Sequence, residues 1–156
     1  MRTTILLALA LLLAPLTALA AGPKEIDKDT ALKAIDRFMA DPKMGEDAAI
    51  IARFTEESEL VLVNIDPRVI TWETHEPAYK EAPLLLTAFL AGNDKSQLDS
   101  GKAEDDSYGG LLAVFKVYDM LKAKDSNLKI PEVEELLAME KKGELKDFVA
   151  KASKDR

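Results

Sequence analysis

The sequence predicts an all-α protein, a single irregular or orthogonal bundle of about six or seven helices that follows a cleaved signal peptide. Two stretches carry this prediction. Residues 108–122 place apolar and aromatic side chains at helical spacing. Residues 84–91 are apolar on almost every side, as in a helix at the middle of a domain. Residues 60–65 have the β-branched content of a strand, but no second strand-like segment is there to pair with them.

Residues 1–20 have the layout of a secretory signal peptide. Arg2 supplies positive charge, residues 5–14 are an unbroken run of Ile, Leu and Ala, and Ala18 and Ala20 give the spacing that a signal peptidase accepts. An uncleaved anchor is the alternative, but a spanning helix needs about 20 apolar residues and this run is shorter. We therefore expect an exported protein, periplasmic or extracellular, in which residues 21–156 form a single helical domain without stable membrane insertion.

The first half of this domain predicts two helices followed by shorter elements. Capping residues lead into an amphipathic helix over residues 30–41, which a proline ends because it cannot continue the hydrogen-bond ladder. Residues 45–58 form a second helix, with acidic side chains in the first turn, where the helix dipole favours them. We interpret residues 60–65 as a short buried helix. Residues 66–72 form a further local element, and residues 73–77 a loop.

The second half predicts four helices separated by polar breaks. A proline opens the helix at 83–91, and the glycine after it is interpreted as its end. Residues 93–106 are polar and predict a loop. The helix over residues 108–122 has the strongest amphipathic pattern in the chain. A second proline opens the helix at 131–142, and a glycine separates it from a last short helix over residues 144–152.

Composition argues against several classes of function. The chain has no cysteine, so it has no disulfide and lacks the residue that a lipoprotein needs at its cleavage point. Its formal net charge of −7 disfavours nucleic acid and anionic lipid as partners, because both are bound by clustered Lys and Arg. The single histidine, His75, argues against a His-dependent catalytic triad and a multi-His zinc site. We expect no cofactor.

The polar residues 93–106 are the densest cluster of oxygen ligands, and Ca²⁺ is the cation that such a loop would suit. Asp94, Asp99 and Glu104 are the candidate ligands, although the spacing of an EF-hand is missing. The alternative is a solvated loop whose last residues, 105–107, cap the next helix.

The most unusual local feature is a pair of glycines at the start of the strongest helix. Each glycine costs about 1 kcal/mol of helix stability relative to alanine, so a close contact is expected there. The pair lies next to acidic residues and a tyrosine, which marks Asp105, Asp106, Tyr108 and Gly110 as candidate ligand- or partner-binding residues. Trp72 joins this set because aromatic side chains line binding grooves, although they more commonly pack in cores.

The stretch LLLTAFLAGNDKSQLDSGKAEDDSYGGLLAVFKVY, residues 84–118, combines an apolar helix, AGN, QL, GK and DD-x-Y-x-G before an aromatic helix. This pattern resembles one found in small exported bacterial proteins of a family without an assigned function. The resemblance implies an all-helical exported protein and carries no catalytic residues to transfer. It points to Asp105, Asp106, Tyr108 and Gly110 as one unit, either structural or binding.

Three functions fit these observations. The leading hypothesis is an exported, non-enzymatic helical domain that acts by protein–protein or small-ligand binding in the bacterial envelope. The second is an envelope hydrolase that uses paired carboxylates, for which the spacing of the acids selects no pair. The third is a Ca²⁺-binding module on residues 93–106.

Overall fold

The computed structural model describes residues 25–154, and in this range the chain is helical with no strand, which confirms the predicted all-α class. The predicted signal peptide and its cleavage point lie outside the described residues. The helices are α1 (Lys28–Ala40), α2 (Glu46–Glu57), α3 (Ala82–Ser100), α4 (Ser107–Lys124), α5 (Pro131–Lys142) and α6 (Leu145–Lys154), with a 3₁₀ turn at Thr71–Thr74. Of these helices, none is long and apolar enough to cross a membrane.

Local capping sets several helix ends. The Asp27 side chain accepts a hydrogen bond from the Thr30 N–H at 2.8 Å and begins α1. Asp106 caps α4 in the same way, accepting from the Gly109 N–H at 2.9 Å. Gly101 ends α3 with a φ of 69°, a left-handed conformation that glycine adopts without a steric penalty.

The interpretation of Gly92 as a helix end is wrong. Helix α3 continues to Ser100, and Gly92 lies where α3 crosses α4. A Cβ on Gly92 would lie 2.6 Å from the Ala113 Cβ, and one on Gly110 would lie 2.9 Å from the Phe89 carbonyl oxygen. The two glycines therefore let the two longest helices approach closely, and the predicted loop at 93–106 is helical in its first part.

The hydrophobic core draws on every helix. Its largest fully buried side chains include Trp72, Tyr118, Phe38 and Phe89. A smaller cluster consists of Ala31, Phe54, Val61 and Leu98, and it joins α1, α2 and α3 to the stretch at 60–65. Ile26, which precedes α1, packs against this cluster.

The interpretation of residues 60–65 as a buried helix is also wrong, because this stretch is neither helix nor strand. Val61 is buried, whereas its neighbours Leu60 and Leu62 are exposed, an alternation typical of extended chain. The physical reason lies in tertiary contacts: side chains from distant parts of the sequence bind the backbone of this stretch.

Candidate functional site

Buried polar side chains on α3 face the 60–65 stretch. Gln97, 1% exposed, accepts a hydrogen bond from the Leu62 N–H at 2.8 Å through Oε1. Its Nε2 donates to the Leu62 carbonyl oxygen at 2.9 Å and to Asn93 Oδ1 at 2.7 Å. The Gln97 amide therefore binds both backbone groups of one residue, as a neighbouring antiparallel strand would.

Asp105 and Asp106 complete this network from the segment before α4. Asp105 Oδ1 accepts from the Asn64 N–H at 3.0 Å and from Asn93 Nδ2 at 2.9 Å. The Asp106 N–H donates to Asn93 Oδ1 at 2.9 Å, and its carboxylate accepts from the Ser96 hydroxyl at 2.5 Å. The two aspartates thus join α3, α4 and the 60–65 stretch.

This network leaves one side of the extended stretch open. In extended chain, the backbone groups of successive residues point to opposite sides. Leu62 and Asn64 point to the network, so the N–H and C=O groups of Val63, which lies between them, point away from it. Within residues 25–154 the backbone groups of Val63 and Ile65 make no hydrogen bond, whereas Val61 is buried and is not part of the open side. We call residues 60–65, with this open side, the 60–65 edge.

The 60–65 edge also carries exposed apolar side chains. Leu60, Leu62 and Ile65 are exposed by 51%, 54% and 51%, and together they form most of the large exposed hydrophobic side chains in the described chain. Exposed apolar side chains clustered beside unpaired backbone groups are the physical signature of a surface that binds another extended chain.

Of the other predicted site residues, Tyr108 lines a surface hollow of about 480 Å³ together with Asp105 and Asp106, whereas Trp72 and Gly110 lie elsewhere. Trp72 is 0% exposed and packs in the core, so it does not line a surface site. Gly110 serves the contact between α3 and α4. Tyr108 is half-buried, donates its hydroxyl proton to Glu140 Oε1 at 2.9 Å, and has the Lys146 ammonium 4.8 Å from its ring centre. Of the predicted set, Asp105 and Asp106 alone belong to the network behind the 60–65 edge.

The candidate calcium ligands are not brought together. Asp94 is buried and bonded to Thr55, Asp99 is exposed with its Oδ2 3.7 Å from the Lys95 ammonium, and Glu104 is exposed. Across the described range, no three His, Cys, Asp or Glu side chains cluster closely enough to hold a metal ion.

Asp94 is 0% exposed, and burial raises the pKa of its carboxyl to about 7, although the bond with Thr55 opposes this. The Thr55 hydroxyl oxygen lies 2.6 Å from Asp94 Oδ2 and 2.9 Å from the Ile51 carbonyl oxygen. A hydroxyl has one proton, so when Thr55 donates to Ile51, Asp94 must be the donor to Thr55. The second carboxyl oxygen, Oδ1, has no partner among residues 25–154. The geometry therefore fits a protonated Asp94.

The sequence predicts a loop at residues 73–77, but in the structure contacts with Tyr79 and Glu132 fix the His75 side chain. Its ring stacks on Tyr79 with 4.3 Å between ring centres, and its Nδ1 lies 2.8 Å from Glu132 Oε1. The Tyr79 hydroxyl donates to the other Glu132 oxygen at 2.9 Å. Burial raises the pKa of Glu132, but the bonds from its own backbone, Tyr79 and His75 outweigh burial and lower it overall. This cluster ties the residues after the 3₁₀ turn to α5.

A groove lies where α1 crosses α3 and α4. Its volume is about 410 Å³, a size suited to a small molecule, and its floor is apolar. On its rim, Lys95 lies 3.5 Å from Asp36 and 3.7 Å from Asp99, so this cation is already balanced by neighbouring carboxylates.

No protein-family model matches the chain, and neither a curated protein nor a solved structure matches it. The functional argument therefore depends on the geometry of the chain itself.

Proposed function

We propose that this chain is an exported helical binding protein that contacts a partner protein through the 60–65 edge. The observation that carries the proposal is the open side of this edge: the backbone groups of Val63 and Ile65, which make no hydrogen bond among the described residues, beside the exposed side chains of Leu60 and Leu62. The pattern of residues 1–20 supports export to the periplasm or beyond.

The unpaired backbone groups of the edge favour an extended segment of the partner as the bound element. A partner strand supplies N–H and C=O groups at the spacing that the open side requires, and its alternate side chains can cover the exposed leucines. A helix satisfies its own backbone groups and would leave those of the edge unpaired.

The polar network behind the edge favours binding because it holds the stretch in its extended form before a partner arrives. Ordering a flexible segment on binding costs free energy, and a preformed edge avoids much of that cost. Gln97 and Asp105 fix Leu62 and Asn64 through hydrogen bonds of 2.8–3.0 Å. The network is therefore a support for the binding surface and makes no contact with the partner.

The test is a titration of the isotope-labelled exported protein with a synthetic peptide in which Val alternates with Thr over about six residues, the length of a typical strand. We expect saturable NMR shifts centred on residues 61–65. Val63→Pro removes an outward N–H and should abolish them, while the inward bonds at Leu62 and Asn64 stay intact.

Side-chain contacts are tested with a matched pair of variants. Leu62→Ser should weaken peptide binding, whereas Leu112→Ser, at an exposed leucine on α4, should leave it unchanged. A peptide that shifts no resonance of residues 60–65, or equal effects of the two serine variants, would contradict the proposal.

A further inference from the structure

We infer that the partner segment carries Lys or Arg at its carboxyl-terminal end, where it passes the acidic end of the 60–65 edge. This inference rests on the proposed function and adds the charge and direction of the bound segment.

The two ends of the edge differ in charge. At the end that precedes Leu60, the side chains of Glu56, Glu57 and Glu59 are exposed. Glu25 lies at the same end, because it lines one small hollow together with Glu57. The open backbone groups and exposed leucines identify the surface, and this acidic end gives it a preferred charge in its partner.

The nearby cations are already engaged. Arg53 Nε lies 2.9 Å from Glu57 Oε2 on the same helix, and the Lys28 ammonium donates to the Leu98 carbonyl oxygen at 2.6 Å. Four carboxylates thus share this end with two cations, so the end keeps an excess of negative charge, and a basic group from a partner would meet an attractive potential.

At the opposite end of the edge, the half-buried Asp105 carboxylate accepts hydrogen bonds from the Asn64 N–H, Asn93 and Ser107. The Asp66 carboxylate lies 2.7 Å from the Arg68 guanidinium, which also donates to the Ala152 carbonyl oxygen at 2.7 Å. A basic residue of the partner gains less at this end, because both carboxylates already accept hydrogen bonds from the chain itself. Antiparallel pairing is slightly more stable than parallel pairing, and it places the carboxyl end of the partner beside the acidic end of the edge.

Two peptides of identical composition test the inference. Both alternate Val with Thr; one has two lysines at its carboxyl end and the other has them at its amino end. Two exposed charge pairs predict about 2- to 10-fold tighter binding of the first peptide at low salt, with the difference shrinking at high salt. Glu56→Gln with Glu59→Gln should remove the preference, and Asp119→Asn, an exposed acid on α4, should keep it.

The outcomes separate the inference from the proposed function. Equal affinities, or tighter binding of the peptide with amino-terminal lysines, would overturn the inference while binding at residues 61–65 still supports the edge. Failure of both peptides to shift resonances at the edge would overturn the edge itself and the inference with it.

Discussion

Replacing Asp94 with asparagine should change how stability depends on pH. The folded protein holds the Asp94 proton up to a pH of about 7, whereas an unfolded chain releases it near the ordinary value of 3.8. Between these values the folded state binds more protons, so the Asp94 contribution to stability rises as pH falls from about 7 to about 4. Above a pH of about 7, Asp94 is ionised in the folded protein as well, and the full cost of burying its carboxylate lowers the free energy of unfolding.

The magnitude follows from the two pKa values. A shift of one unit corresponds to about 1.4 kcal/mol, so a rise from 3.8 to about 7 gives a cost of about 4 kcal/mol in alkaline solution. About 1.5 kcal/mol of this cost is already present at pH 5. Asp94→Asn keeps the shape and stays neutral, and its advantage over the wild type should grow by about 2–3 kcal/mol between pH 5 and pH 8.

Urea denaturation of both proteins at the two pH values measures this difference in the free energy of unfolding. The contributions of the other carboxylates cancel in the difference, because both proteins contain them. Asp99→Asn on the exposed side of the same helix is the control, with an expected change below about 0.5 kcal/mol. An advantage of Asp94→Asn that is the same at pH 5 and pH 8 would refute the reasoning and mean that the carboxylate ionises as it does in water.

Three further substitutions test the packing by urea denaturation. Gln97→Ala should cost about 2–4 kcal/mol, because it leaves a cavity and several buried polar groups unpaired. Gly110→Ala should destabilise by about 1–3 kcal/mol through overlap with Phe89. Phe115→Ala should cost about 3–5 kcal/mol, and a cost below about 1 kcal/mol would mean that the buried face of α4 is misassigned.

Helical periodicity predicted most of the fold because the relevant information is local. The stripe of α4 repeats at the helical period, and Leu111, Phe115 and Tyr118, which it marks as inward, are buried. Leu112, which the stripe also marks as inward, is 40% exposed. The prolines at the starts of α3 and α5 act locally too, since a missing N–H does no harm in the first turn.

The 60–65 edge could not be predicted in the same way. Its conformation depends on Gln97 and Asp105, which lie far along the chain, and no local pattern shows that a glutamine amide will bind the Leu62 backbone. The strand-like composition of the stretch correctly indicates extended chain, but without a second strand-like segment in the sequence it does not predict a strand.

The sequence predicted two residues of the candidate site, Asp105 and Asp106, and missed the others, because their contacts are also made with distant parts of the chain. The acidic pair before α4 drew attention to Asp105 and Asp106, but their carboxylates bind the chain itself. Sequence patterns miss Asn93 and Gln97 because a helix that ends at Gly92 places both in a polar loop, whereas the structure places both on α3. Glycine at a helix crossing and glycine at a helix end look alike in one sequence, because both positions lack a side chain for steric reasons.

Amide hydrogen exchange resolved by residue tests the central claim most directly. In the free protein, the amides of Leu62 and Asn64 should exchange slowly, because Gln97 and Asp105 bind them, while those of Val63 and Ile65 exchange rapidly. Saturating Val-Thr peptide with carboxyl-terminal lysines should make the amides of Val63 and Ile65 slow as well. Protection of these two amides in the free protein, or no gain in protection with the peptide, would contradict the account.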